Sequence, residues 1–183
     1  MTLIQEQIEI IADVTSEERA ARLSEAGRAW NERIAAEPRT AELTYTVTGR
    51  GIGAVATEIR AGKHRFLVDE PAGLAGDDIA ASPVEYALGA LVSCQVVVFR
   101  LYAQALGLTI EEIEITAEGD LDVRKLFGID ESGRAGFHDV RVTVDISGPD
   151  SDEQYENLRQ VVDAHCPVLD LFANPVPTSG ALA

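Results

Sequence analysis

Hydrophobic and polar positions along this chain change their period from zone to zone. Between Thr15 and Pro38, Leu23, Ala26, Trp30 and Ile34 recur at helical spacing within a run of strong helix formers. That pattern predicts an amphipathic helix with a narrow apolar stripe. Thr15-Ser16-Glu17-Glu18 fits a capping box at its start, and Pro38 ends it. Residues 1–40 therefore read as a polar, helical N-terminal extension that packs on the main body or on a partner subunit. Over residues 41–80 the period shifts to two. Residues 43–48 alternate and are β-branched, and residues 54–59 and 64–68 read as two further strands. Residues 49–53, Gly-Arg-Gly-Ile-Gly, read as the turn after the first strand, and residues 61–63 as the next turn. A Gly- and Asp-rich loop follows over residues 69–81.

From Ser82 the period is helical again. Ser suits an N-cap and Pro83 the first helical position, and Gly107 marks the stop. The helix between them is apolar on every side in its middle, which predicts burial all round. Residues 109–117 and 137–146 read as strands. In the second, Val140, Val142, Val144 and Ile146 alternate with polar residues. A charged connection, residues 120–136, joins them. Ser151 with Gln154 forms another capping box, opening a helix with Tyr155, Leu158, Val161 and Val162 that breaks near Pro167.

Composition narrows the function classes. Thirty-one acidic residues against 15 basic give a formal net charge of −16. Such a surface repels nucleic-acid phosphates and anionic membranes. The uncharged stretch over residues 86–99 is shorter than the roughly 20 apolar residues a membrane span needs. Residues 1–14 have no basic start and are interrupted by Gln and Glu, unlike a signal peptide. Two cysteines in 183 residues do not make a secreted disulfide framework. A soluble cytoplasmic protein is the expectation.

Candidate chemistry centres on the cysteines. Cys94 lies mid-helix in an apolar run, where a free cysteine ordinarily behaves as a small core hydrophobe. Cys166 precedes Pro167 and would cap a new helix beginning there. A sulfur at a helix N-terminus faces free N–H groups, which lower its pKa and favour the thiolate. The three histidines, His64, His138 and His165, lack the paired spacing of a zinc site. His165 beside Cys166 suggests a base, but neighbours on a helix diverge by about 100°. The glycines at residues 49–53 lie between two strands, so they do not form a phosphate loop. Asp69-Glu70 and Asp77-Asp78 read as a solvated loop.

Taken in order, several motifs resemble the OsmC/Ohr family of osmotically induced stress proteins and organic hydroperoxide reductases. The matching residues are Ser82-Pro83-Val84-Glu85-Tyr86 through Leu91-Val92-Ser93-Cys94, then Gly136-Phe137-His138-Asp139-Val140-Arg141-Val142, then His165-Cys166-Pro167-Val168, with Asn174-Pro175-Val176-Pro177 near the end. The likeness covers residues 41–183, an OsmC-like domain after the N-terminal extension of residues 1–40. It implies an α+β fold in an intertwined homodimer, with antiparallel sheets wrapped around two long central helices.

The resemblance also implies the chemistry. Cys94 attacks an organic hydroperoxide and becomes a sulfenic acid. Cys166 condenses with it to a disulfide, and a dithiol or a lipoylated protein restores both thiols. It implies no metal and no organic cofactor. Arg50, in a segment resembling the one that supplies the family's cation, would hold the thiolate, with Arg60 or Arg65 as alternatives. Glu85 would position that cation, although the Ohr-type acid directly follows the proline, where this chain has Val84. Glu85 and Cys94 are nine residues apart (94 − 85), about 2.5 turns and 13 Å along one helix. Glu85 thus reaches the site only through an irregular first turn or across the dimer, and otherwise caps the helix. An apolar pocket drawn from Leu91, Val97, Phe99, Leu126 and Phe127 would favour organic over hydrogen peroxide. The other reading is an OsmC-like dimer that binds a small ligand or senses redox state without turnover.

Overall fold

A computed structural model describes residues 14–182; the N-terminal part of the expected helical zone, residues 1–13, lies outside them. Helix α1 spans Ser16–Ala36. The Thr15 hydroxyl accepts from the Glu18 N–H at 3.1 Å and the Glu18 carboxylate accepts from the Thr15 N–H at 2.9 Å, completing the expected capping box. Arg28 pairs with Glu25 and Glu32 on its exposed face; Ala20 and Leu23 are half-buried, while Ala26, Trp30 and Ile34 of the expected stripe are exposed. A 3₁₀ turn, Pro38–Ala41, ends the zone.

Strands β1 (Val47–Ile52), β2 (Ala56–Ala61) and β3 (His64–Val68) form an antiparallel meander in that order. The first differs from expectation: residues 49–52 are strand, not turn, and residues 43–46 precede it without ladder pairing. The reason lies across the sheet. Gly49 pairs with Ile59, and a Cβ there would meet Thr57 Cγ2 at 3.1 Å and Ile59 Cδ1 at 3.2 Å. The glycine thus makes room for β2. The reversal itself is at residues 53–55, where Gly53 supplies a φ of +58°.

Helix α2 spans Pro83–Leu106, capped by Ser82 and ended by Gly107 at φ 72°, as expected. It is long and apolar enough to cross a membrane by length and composition alone, but one face packs on the rest of the chain. Leu91, Gln95, Val98, Phe99 and Ala103 are buried. The expected burial all round does not occur within the chain. Val97 is 55% exposed and Leu101 also faces outward, because among the described residues the core packs on the opposite side of the middle of α2.

Strands β4 (Glu112–Asp120) and β5 (Asp139–Ser147) form a separate antiparallel pair, each beginning two or three residues later than the periodicity predicts. Ile113 opposes Ile146, Ile115 opposes Val144, and Ala117 opposes Val142. One face of the ribbon is therefore apolar, and it covers α2. Helix α3, Asp152–His165, closes the core with Leu158 and Val162. Its Tyr155 hydroxyl donates to Thr109 O at 2.7 Å, and Gly148 is there because a Cβ would lie 2.2 Å from that hydroxyl. Helix α4, Pro167–Ala173, follows after the single residue Cys166. The result is an α+β architecture whose main core lies among α2, β4, β5 and α3.

Candidate active site

Both cysteines lie in that core. Cys94 is half-buried on α2 and packs against the cluster of Val98, Phe99, Leu158, Val162 and Cys166. Cys166 is 2% exposed at the junction of α3 and α4, where Pro167 forces one helix to stop and starts the next. Cys94 packs against the cluster that contains Cys166, near enough to act on its thiol, and both sulfurs are free. The fold thus brings together two side chains 72 positions apart (166 − 94).

Their electrostatics differ from the sequence expectation. Burial pushes the Cys166 thiol above its ordinary value, and the Cys94 thiol adds to the rise. The backbone N–H groups of Leu169 and Val168 act in the expected lowering direction but do not prevail. α4 has only seven residues, so few aligned peptide dipoles oppose the desolvation of a thiolate. Cys166 is thus a protonated, buried thiol rather than a helix-activated thiolate.

The other expected site residues lie elsewhere in the chain. Arg50 is on β1, 74% exposed, with its guanidinium 2.8 Å from the Glu58 carboxylate across the ladder. Arg65 reaches the same carboxylate at 3.2 Å. These arginines hold the Glu58 carboxyl below its usual range, Arg50 foremost. No residue of β1–β3 belongs to the core cluster around the cysteines. The three-stranded sheet instead meets the start of α2, where the Tyr86 hydroxyl donates to Leu67 O at 2.8 Å and its ring lies 5.1 Å from that of Phe66.

Glu85 is the acid of the α2 capping box. Its Oε2 accepts from the Ser82 N–H and hydroxyl, both at 2.7 Å, and these bonds lower its pKa. The His165 ring nitrogen Nδ1 is bonded to Val161 O at 2.7 Å, and the ring packs on Tyr102 with centroids 4.7 Å apart. Asp69, expected in a solvated loop, is buried, and its Oδ2 accepts from the Asp77 and Ile79 N–H groups to shape the turn before α2.

Among the described residues, the five side chains expected to line an apolar pocket lie apart. Leu91 and Phe99 are core, Val97 faces outward, and Leu126 and Phe127 are exposed on the loop after β4. A different cavity, of about 470 Å³, adjoins α4. Phe137, Val140, Val142, Leu169 and Phe172 supply its apolar wall, and Arg134 and His138 stand at its polar side. Its size suits a small organic molecule. Gln95, beside Cys94 in sequence, is also part of the site's framework. It is 1% exposed and its Nε2 donates to Asp163 Oδ1 at 3.4 Å, tying α2 to α3. A lone amide inside an apolar helical run was the legible sign of it. The cavity's walls come from segments about 30 residues apart, and nothing local announces them.

Comparison with known proteins gives the same architecture. A family model described as OsmC-like protein matches residues 76–179, more than half of the chain. An OsmC-like protein from Mycoplasma pneumoniae superposes with a TM-score of 0.64 at 16% identity, covering 72% of this chain and 89% of that one. An organic hydroperoxide resistance protein from Legionella pneumophila gives 0.56 at 19% identity, covering 71% and 89%. One from Elizabethkingia anophelis gives 0.56 at 20%, covering 71% and 88%. At these identities the likeness is one of fold. No curated protein matches the chain.

Proposed function

This chain belongs to the OsmC-like protein family, and from that premise we propose that it is a cytoplasmic, thiol-dependent peroxidase acting on organic hydroperoxides in oxidative-stress defence. The observation that carries the reading is the meeting of Cys94 and Cys166 in one apolar cluster. Cys94 is the more accessible of the two and takes the peroxidatic role. Its thiolate attacks the terminal peroxide oxygen, the O–O bond breaks, and the alkoxide leaves as the alcohol after taking a proton. Cys94 is then a sulfenic acid. The Cys166 thiol attacks that sulfur, water departs, and a Cys94–Cys166 disulfide remains. An external dithiol, free or as a lipoyl group on a protein, reduces the disulfide and is itself oxidised.

The division of labour suits the environments. A resolving thiol that stays protonated does not compete for peroxide, and Cys166 is held in that form by burial. The cavity beside α4 would receive the organic part of the substrate. Arg50 is the proposed cation for the Cys94 thiolate. Because it stands outside the core of its own chain, it would act on the site of a second subunit in a homodimer. Glu85 acts by capping and so sets where α2 begins.

The test is consumption of cumene hydroperoxide by purified protein with a dithiol. Cys94→Ser should abolish it, and Cys166→Ser should allow one oxidation but block disulfide formation. An unchanged rate in Cys94→Ser removes the proposed mechanism. A second reading, a redox sensor or small-ligand binder without turnover, is favoured by one observation: Arg50 and Glu85 are both engaged elsewhere. Disulfide formation with peroxide but no multiple turnover with any dithiol would select it.

A further inference from the structure

Away from the thiols, two arginines face one another in a cleft. α1 lies against the C-terminal half of α2, and between them is a cavity of about 220 Å³ lined by Glu17, Arg19 and Leu23 on one side and by Arg100, Gln104 and Ile110 on the other. One Arg19 guanidinium nitrogen donates to Ile110 O at 3.4 Å. The Nε atoms of Arg19 and Arg100 are both buried, and neither has a hydrogen-bond partner among the described residues. Nor does either guanidinium pair with a carboxylate among those residues, Glu17 included. Arg28, Arg50, Arg65, Arg124, Arg141 and Arg159 all do, and the other arginines that do not, Arg22, Arg33, Arg39, Arg60 and Arg134, are exposed.

In a chain with twice as many acidic as basic residues, Arg19 and Arg100 stand apart as neighbouring arginines that are part-buried and without an acid partner among the described residues. Burial lowers the Arg100 pKa, and the nearby Arg19 charge lowers it further. Two part-desolvated like charges with unused donors carry a free-energy cost that an anion between them would remove. Guanidinium forks match the oxygens of carboxylates and phosphates.

We propose that the α1–α2 cleft binds a small oxyanion of the phosphate or carboxylate class between the guanidinium groups of Arg19 and Arg100. The cavity is smaller than the roughly 300 Å³ at which drug-sized ligand sites begin, which fits a compact ion rather than a nucleotide. The bound anion bridges the N-terminal helix to the helix that carries Cys94, six positions before Arg100 (100 − 94). The site stands independently of the proposed peroxidase reaction.

The experiment titrates the full-length protein with inorganic phosphate and, separately, with succinate, sodium chloride holding the ionic strength constant. Thermal midpoint and hydrogen–deuterium exchange over α1 are followed. At least one anion should raise the midpoint beyond the chloride control and slow exchange over α1. Arg19→Gln and Arg100→Gln should each weaken the apparent affinity about tenfold or more, the worth of a charge-assisted hydrogen bond. Arg28→Gln, on the exposed face of α1, should respond as wild type does. A response to phosphate alone assigns a phosphate ligand, and one to succinate alone a carboxylate. No response beyond chloride in the wild type overturns the proposal, as does an equal response in both cleft variants. Should a cleft variant not fold, exchange in the wild type decides: protection confined to α1 and residues 100–110 supports the site, and its absence refutes it.

Discussion

At Cys166 two opposing effects act on one sulfur. Its position before Pro167 is legible in the sequence, and the N–H groups beyond it do act on the thiol in the lowering direction, though they form no capping hydrogen bond with it. The outcome is set by burial, which comes from α2 and α3, and no local pattern encodes how much water those elements exclude. A consequence for stability follows. The folded chain holds the Cys166 proton more tightly than the unfolded chain does. Its contribution is complete below the ordinary thiol value of 9.0 and is lost as pH rises through the higher folded-state value. The wild type should therefore lose stability above about pH 9 more steeply than Cys166→Ser. Urea midpoints on either side of that pH measure it, and parallel losses in the two proteins would contradict the assignment. Glu85 teaches a related lesson. Its distance from Cys94 along a regular helix was calculable beforehand, and its carboxylate is occupied by Ser82.

Among the elements, helix boundaries were the most legible feature, because capping is local chemistry. Thr15 and Ser151 start helices as their capping boxes predict, and Ser82 does so as an N-cap before Pro83. Removing the Ser82 hydroxyl should cost about 1 kcal/mol, since it accepts from the Glu85 N–H and donates to the Glu85 carboxylate. Ser82→Ala compared with wild type in chemical denaturation reads this directly, and an unchanged midpoint would mean the cap is not formed in solution. Strand limits were less legible. The β-branched run over residues 43–48 is a good strand former, yet the ladder takes Gly49–Ile52 in preference to residues 43–46. Pairing with β2 decides, and a residue's own propensity is a small term beside a row of cross-strand hydrogen bonds. The period-two pattern of β5 held because its alternate residues face a core that already excludes water.

For the whole molecule, the question raised by α2 is what covers its second face. Val97 and Leu101 lie outward along the helix, one turn apart and on one side, beyond the point where Tyr86 meets the three-stranded sheet. A second copy of the chain, placed helix against helix, is the proposed cover and would also bring Arg50 of one subunit toward the thiols of the other. Val97→Asp puts a charge on that side. Sedimentation should find the wild type dimeric and the variant monomeric, and a monomeric wild type would remove the homodimer from the proposal. By itself the sequence determined the helices and their caps, the apolar face of β5 and the motif order whose family resemblance implies the α+β class, because these depend on neighbours within a few residues or on a repeated period. Only the tertiary structure decided that Cys94 meets Cys166, that burial outweighs the helix terminus at Cys166, that Val97 and Leu101 of α2 stay exposed among the described residues, and that Arg19 and Arg100 share a cleft. Each of these depends on distance and solvent exclusion between segments far apart in the chain, quantities that arise only when the helices and strands pack.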